Sequence, residues 1–217
     1  VTLNRDGRVM LGVSVLMVLM ALNGVITQWM GFGLLAILAG FTFLLYRRAR
    51  QEADVDETAA SVDENLLEGS LFLALLILIA GLAGVLWGSD LMVKGAVGVA
   101  QQAGISQAVI ALSIVAIGTS LPELFISLFA SLRGHASLAI GNIIGSNISN
   151  ILLILGVVAS TGPLNVSAEI ANRDVWVMLG VAILGLVLMR SARRMSRIEG
   201  LFSLVLYALY VGYLYFS

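Results

Sequence analysis

From Leu71 to Ser89, and again from Ile151 to Leu164, the chain carries no charged side chain, and apolar runs of this kind recur along its whole length. A bilayer core takes about 20 apolar residues per helix, and within it every backbone N–H and C=O must be satisfied inside the protein. A chain built from such runs is expected to be a bundle of membrane-spanning helices. The composition agrees: 59% of the 217 residues are hydrophobic and 12% are charged, against roughly half and about a quarter in a soluble domain. Cysteine is absent, which excludes disulfides, thiolate metal sites and thiol catalysis. A formal net charge of −1 argues against a nucleic-acid partner. Any chemistry has to come from oxygen ligands.

Taking charges as boundaries predicts an all-α polytopic bundle with seven helices in this chain: Val9 to Ile26, Trp29 to Tyr46, Glu68 to Ala103, Ser106 to Leu132, Ala136 to Ser160, Val175 to Met189 and Gly200 to Phe216. The segment 47–67 stands apart. It opens with Arg47, Arg48 and Arg50 and continues through Glu52, Asp54, Asp56, Glu57, Asp63 and Glu64, so it reads as a solvated acidic linker. Seven alternating spans put Arg5, Arg8, Arg47, Arg48, Arg50, Arg133, Arg190, Arg193, Arg194 and Arg197 on one side and Arg173 on the other. By the positive-inside rule the first side, with the linker, is cytoplasmic.

An internal repeat is visible by eye. Asn4-Arg5-Asp6 followed by Val9-Met10-Leu11-Gly12-Val13 recurs, 168 residues on, as Asn172-Arg173-Asp174 followed by Val177-Met178-Leu179-Gly180-Val181. One residue out of step, Gly31, Leu35, Ala39, Leu45 and Tyr46 match Gly200, Leu204, Ala208, Leu214 and Tyr215. A helical hairpin is duplicated, and the expected topology inverts its two copies, as in many secondary transporters. Three helices precede the second hairpin, between Glu68 and Ser160. The first copy of those three is expected upstream of Val1, giving two units of five helices in a complete protein.

The fourth expected helix holds a carboxylate, Glu123, inside an otherwise uncharged run, Ala116-Ile117-Gly118-Thr119-Ser120-Leu121-Pro122-Glu123-Leu124. Ionisable groups at membrane depth are costly and usually mark an ion or proton path. Pro122 has no N–H to offer the carbonyl of Gly118, four residues back, so the helix is expected to break here and free carbonyl oxygens. Those carbonyls, the hydroxyls of Thr119 and Ser120, and Glu123 would make a cluster of hard oxygens suited to Ca²⁺ or Na⁺. Ala116, Thr119, Ser120 and Glu123 share one helical face. A second polar stripe, Asn142, Ser146 and Asn150, is spaced four apart on the fifth helix. Gly141 and Gly145 beside it also fit a small-residue packing seam. Asn142 and Asn147 are therefore read either as backbone and packing support or as ligands.

With these motifs in hand, Gly118-Thr119-Ser120-Leu121-Pro122-Glu123 and Gly141-Asn142-Ile143-Ile144-Gly145-Ser146-Asn147 with Asn150 after it, the chain resembles the calcium/cation antiporter superfamily in its sodium/calcium exchanger branch. The resemblance extends over essentially the whole chain. It implies a sodium/calcium exchanger-like fold with an inverted-topology repeat, of which this partial chain supplies 1–46 as the last two helices of the first repeat, 47–67 as the cytoplasmic linker and 68–217 as the second five-helix repeat. It also implies the ion-coordinating set: Glu123, Thr119, Ser120, the backbone carbonyl of Ala116, Ser146 and Asn150. Asn150 stands where some members carry aspartate. The implied activity is Na⁺/Ca²⁺ antiport by alternating access, with Ca²⁺ and Na⁺ as transported ions, no cofactor, a multi-pass location in the plasma (inner) membrane, and the lipid bilayer and the N-terminal repeat as partners.

Asp90 and Lys94, four apart on the third helix, are expected to pair and so to lower the cost of placing both in the membrane. They read as structural, with gating as the alternative. His135, beside Arg133, reads as a solvated loop residue rather than a proton relay. Cation/proton exchange would use the same Glu123 as proton carrier. An intramembrane serine hydrolase acting through Ser120 or Ser146 finds no base at membrane depth except the remote Lys94, so no enzyme activity is expected. A purely structural membrane subunit would leave a buried glutamate beside a broken helix unexplained.

Overall fold

The computed structural model describes residues 3–55, 71–105, 110, 115–192 and 196–216. In chain order the elements are α1 (Leu3–Leu22), β1 (Val25–Ile26), α2 (Gln28–Val55), α3 (Leu71–Gln102), α4 (Ala116–Thr119), α5 (Leu121–Leu132), α6 (Ala136–Ser149), a π-helical stretch (Asn150–Leu155), α7 (Gly156–Thr161), β2 (Leu164–Asn165), a second π-helical stretch (Ile170–Asp174), α8 (Val175–Ala192) and α9 (Arg197–Phe216). The protein is an all-α polytopic membrane bundle. Among the described residues five helical segments are long and apolar enough to cross a membrane: Gln28–Gln51, Leu75–Gln102, Ala136–Thr161, Ile170–Met189 and Arg197–Leu214. The apolar α5 is shorter, and α1 spends its first turns on Arg5, Asp6 and Arg8.

Each of the seven expected segments contains helix, but several ends differ. The second helix does not stop at Tyr46. It continues to Val55, because Arg, Ala, Gln and Glu are good helix formers and charge ends a membrane span without ending a helix. Arg47 lies over the Phe43 ring, 5.8 Å from its centroid, a cation–π contact one turn apart. The rest of the expected linker, 56–67, lies outside the described residues. The first helix ends at Leu22, where Gly24 takes a left-handed φ of 75° and sends the chain into β1. The last helix starts earlier than Gly200, at a capping box that the sequence Ser196-Arg197-Ile198-Glu199 spells out. There the Ser196 N–H donates to Glu199 Oε2 at 2.7 Å and the Glu199 N–H to Ser196 Oγ at 3.2 Å.

The chain divides into two units, 1–56 with 130–195 and 57–129 with 196–217. In the first unit α1 packs along α8, and their directions are opposed. A Cβ added at Gly7, near the start of α1, would come within 2.6 Å of Leu186 Cδ2, near the end of α8. At the other end Val18 and Ala21 cluster with Val175. Shifted by the repeat offset of 168, Gly7 becomes Val175 and Leu186 becomes Val18, so the two contacts are images of one another. An antiparallel helix pair with interchangeable contacts has an approximate two-fold axis, and this is the inversion expected of the repeat. The polar ends match too: Arg5 Nε lies 2.8 Å from Asp6 Oδ1 and Arg173 Nε lies 2.7 Å from Asp174 Oδ1. The short antiparallel ladder of Val25 with Asn165 and Ile26 with Leu164 ties the end of α1 to the segment that leads into α8.

Close approach in this unit is made by glycine, as expected where lipid removes the hydrophobic drive and packing takes over. A Cβ at Gly31 of α2 would stand 2.6 Å from the Ser160 backbone nitrogen, and Gly156 of α7 lies under Leu35 and Leu34. The buried positions Ile144, Ile148, Leu152 and Gly156 are spaced four apart. An α-helix of about 3.6 residues per turn would carry them steadily off one face. The π stretch, with its i to i+5 bonds, winds more slowly and keeps Leu152 and Gly156 in line with the residues before them. Met10, Val13, Leu34, Ile144, Ile148 and Leu186 belong to the resulting core.

Candidate ion-binding site

The expected break in the fourth helix falls at one residue. α4 ends at Thr119, Ser120 takes φ −93° and ψ 1°, the sparsely populated bridge region, and α5 begins at Leu121. Pro122 therefore stands in the first turn of a new helix, where a missing N–H costs nothing. Glu123 stands in the same first turn, at the positive end of the α5 dipole, which favours an anionic side chain. Glu123 is half-buried, with Oε2 shielded from solvent.

One expectation is corrected. The Gly118 carbonyl is not freed: together with that of Ile117 it accepts a backbone N–H where α4 ends, and the Ile117 acceptor is matched by the Ser120 N–H at 3.0 Å. Ser120 O is also engaged, by the Leu124 N–H at 2.9 Å. The chain tightens from i+4 to i+3 bonding as it turns, so the break reroutes hydrogen bonds instead of stripping them. The oxygens that come together are those of Thr119 and Ala116, with the Thr119 hydroxyl donating to the Ala116 carbonyl at 3.1 Å. Two oxygens bound about 2.3–2.6 Å from one Ca²⁺ can have a separation of this order. Ala116, Thr119 and Ser120 are exposed.

Ser146 and Asn150 belong to the other unit, so the structure groups Ala116, Thr119, Ser120 and Glu123 along one stretch of chain and Ser146 with Asn150 along another. Ser146 is half-buried and its hydroxyl donates to the Ile143 carbonyl at 3.1 Å. Asn150 is exposed and opens the π stretch. The side-chain amide of Asn147 donates to the same Ile143 carbonyl at 2.8 Å, a backbone contact that occupies its Nδ2. Asn142 is half-buried. Among the described residues no three His, Asp or Glu side chains gather into a metal cluster.

On α3, Lys94 Nζ lies 2.6 Å from Asp90 Oδ2, the expected pair. His135 is exposed and caps the tight turn between α5 and α6, where Gly134 has φ 81° and the His135 carbonyl accepts the Leu138 N–H. One relation was invisible in the sequence. Val93 of α3 fills the space where Gly118 would carry a side chain, and a Cβ there would run into Val93 Cγ2. Toward the start of α3 the same helix leaves a cavity of about 620 Å³ against α5, between Gly84, Gly88 and Ser89 on one side and Leu121, Phe125 and Phe129 on the other.

Residues 73–216 match the family described as sodium/calcium exchanger protein, well over half of the chain. The chain belongs to the sodium/calcium exchanger family. The sodium/calcium exchanger MaX1 of Methanosarcina acetivorans is 45% identical over 109 residues, covering 50% of this chain and 31% of its own. The inner membrane protein YrbG of Escherichia coli is 40% identical over 142 residues, covering 65% and 43%. An uncharacterized membrane protein of Methanocaldococcus jannaschii is 35% identical over 170 residues, covering 78% and 54%. The chain thus spans about half, or less, of the length of these relatives. No solved structure matches it. An exchanger family is a family of transporters rather than enzymes, and the matched region takes in α4 to α6, which carry both motifs of the candidate site.

Proposed function

We propose that the intact protein is a secondary active cation antiporter that exchanges Na⁺ for Ca²⁺ across the plasma (inner) membrane. The observation that carries this reading is the position of Glu123, a lone carboxylate in the first turn of α5 immediately after a break inside an apolar helix. Ala116, Thr119, Ser120 and Glu123 form one group of ligands, and Ser146 with Asn150 a second. A negative side chain at a helix start, flanked by hydroxyl and carbonyl oxygens, can replace the water of a hard cation without the depth of binding that a multi-carboxylate cage would give. Release to the opposite side then remains accessible. The acidic segment 56–67 lies on the cytoplasmic side in this reading, and an upstream copy of the repeat supplies the facing half of the transporter.

The test is ⁴⁵Ca²⁺ uptake into vesicles carrying the intact protein and loaded with Na⁺. An outward Na⁺ gradient should drive uptake, and Glu123→Gln should abolish it while leaving the amount of inserted protein unchanged. Undiminished uptake in that variant would remove Glu123 from the mechanism. Uptake that follows a pH gradient with no Na⁺ present would assign the exchange to protons.

A further inference from the structure

The contact between Val93 and Gly118 connects α3, which contributes none of the candidate ligands, to the backbone of the break. α3 and α4 pack against each other within one unit. Gly118 is buried and immediately precedes Thr119 and Ser120. The Cβ that an alanine would place there overlaps Val93 Cγ2 and stands 3.3 Å from Val93 Cβ. Valine on a helix is nearly fixed at χ1, so the wedge cannot swing aside as a longer side chain would. At Gly81, Gly84, Gly88, Gly95 and Gly98 of the same helix an added Cβ would meet nothing within 4 Å among the described residues, and the cavity opens beside Gly84 and Gly88.

We propose that Val93 is a positioning residue for cation binding: seated on Gly118, it holds the α4 end and the turn at Ser120 in the geometry that presents Thr119 and Glu123. A shift of α3 along or about this contact is passed directly to the break, because a close-packed contact of a stiff side chain on a glycine transmits displacement. This inference rests on the antiport reading above for its transport readout, and its thermal readout does not depend on that reading.

The experiment is a double-mutant cycle on the intact protein, with Gly118→Ala, Val93→Ala and the pair, and Gly84→Ala as the control for a glycine on open space. Na⁺-driven ⁴⁵Ca²⁺ uptake and the melting temperature in detergent are both measured. Gly118→Ala should lower uptake about tenfold and reduce the melting temperature, and adding Val93→Ala should recover most of both losses. Val93→Ala alone should raise the half-saturating Ca²⁺ concentration about threefold or more with a smaller change in maximal rate, and Gly84→Ala should behave as wild type. The proposal is overturned if Val93→Ala rescues neither quantity in the Gly118→Ala background, or if Val93→Ala alone leaves the Ca²⁺ dependence untouched. Absence of Na⁺-driven uptake in the wild type would instead defeat the antiport reading, and the melting temperatures would still decide whether Val93 and Gly118 are coupled.

Discussion

At the scale of single residues, Ser120 has the largest consequence. Its backbone leaves the helical region, and this turns Glu123 from a mid-helix carboxylate into one at a helix start, where the dipole lowers the cost of holding its charge. Pro122 signals the break in the sequence, but the hydrogen bonds around it had to be seen. The Gly118 carbonyl still accepts a backbone N–H where α4 ends, a rearrangement that depends on the exact path of the turn. Residue-scale predictions follow the same logic. Glu123→Asp keeps the charge but withdraws the carboxylate by one methylene, so Ca²⁺ affinity should fall by about tenfold in the uptake assay while measurable exchange survives, in contrast to Glu123→Gln. Ser196→Ala removes the side-chain half of the α9 capping box and should cost about 1 kcal/mol, read as a lowered thermal midpoint of the purified protein. Wild-type stability in that variant would argue against the cap.

At the scale of elements, the packing is organised by where glycine lets backbones meet. Gly31 faces backbone atoms of Ala159 and Ser160, which cannot rotate away, so Gly31→Val should destabilise the α2 and α7 pair by about 1–3 kcal/mol. Gly33 and Gly40 on the same helix face open space, and alanine there should leave the thermal midpoint nearly unchanged. The sequence shows all three glycines alike, since spacing alone cannot tell which ones have a neighbour. The extension of α2 to Val55 and the π stretch at Asn150 were hidden for related reasons. Hydropathy marks the edge of the membrane rather than the end of a helix, and the four-residue spacing of Ile144, Ile148 and Leu152 looks like ordinary helix until the face it must match is known.

At the scale of the whole molecule, the duplication is the organising fact. Contacts at the two ends of the α1 and α8 pair exchange under the repeat offset, and both copies begin with an adjacent Arg–Asp pair. Because the chain has no cysteine, this arrangement can be tested with introduced pairs. A short thiol crosslinker should join Gly7→Cys to Leu186→Cys, and equally Val18→Cys to Val175→Cys. It should fail between Gly7→Cys and Val175→Cys, which a parallel packing of the two copies would place together. Crosslinking of that last pair with failure of the first two would refute the inverted arrangement.

What the amino-acid sequence decided alone was whatever depends on local chemistry and on the solvent: helices because lipid tolerates few other backbones, a break because proline lacks an N–H, an Asp90–Lys94 pair because one turn separates them, and a repeat because Asn-Arg-Asp recurs in register. Tertiary structure decided what depends on which surfaces meet. Val93 against Gly118, Gly31 against Ser160 and the antiparallel seating of α1 on α8 are contacts between residues far apart in the chain, and steric fit between such residues leaves no periodic mark in either segment.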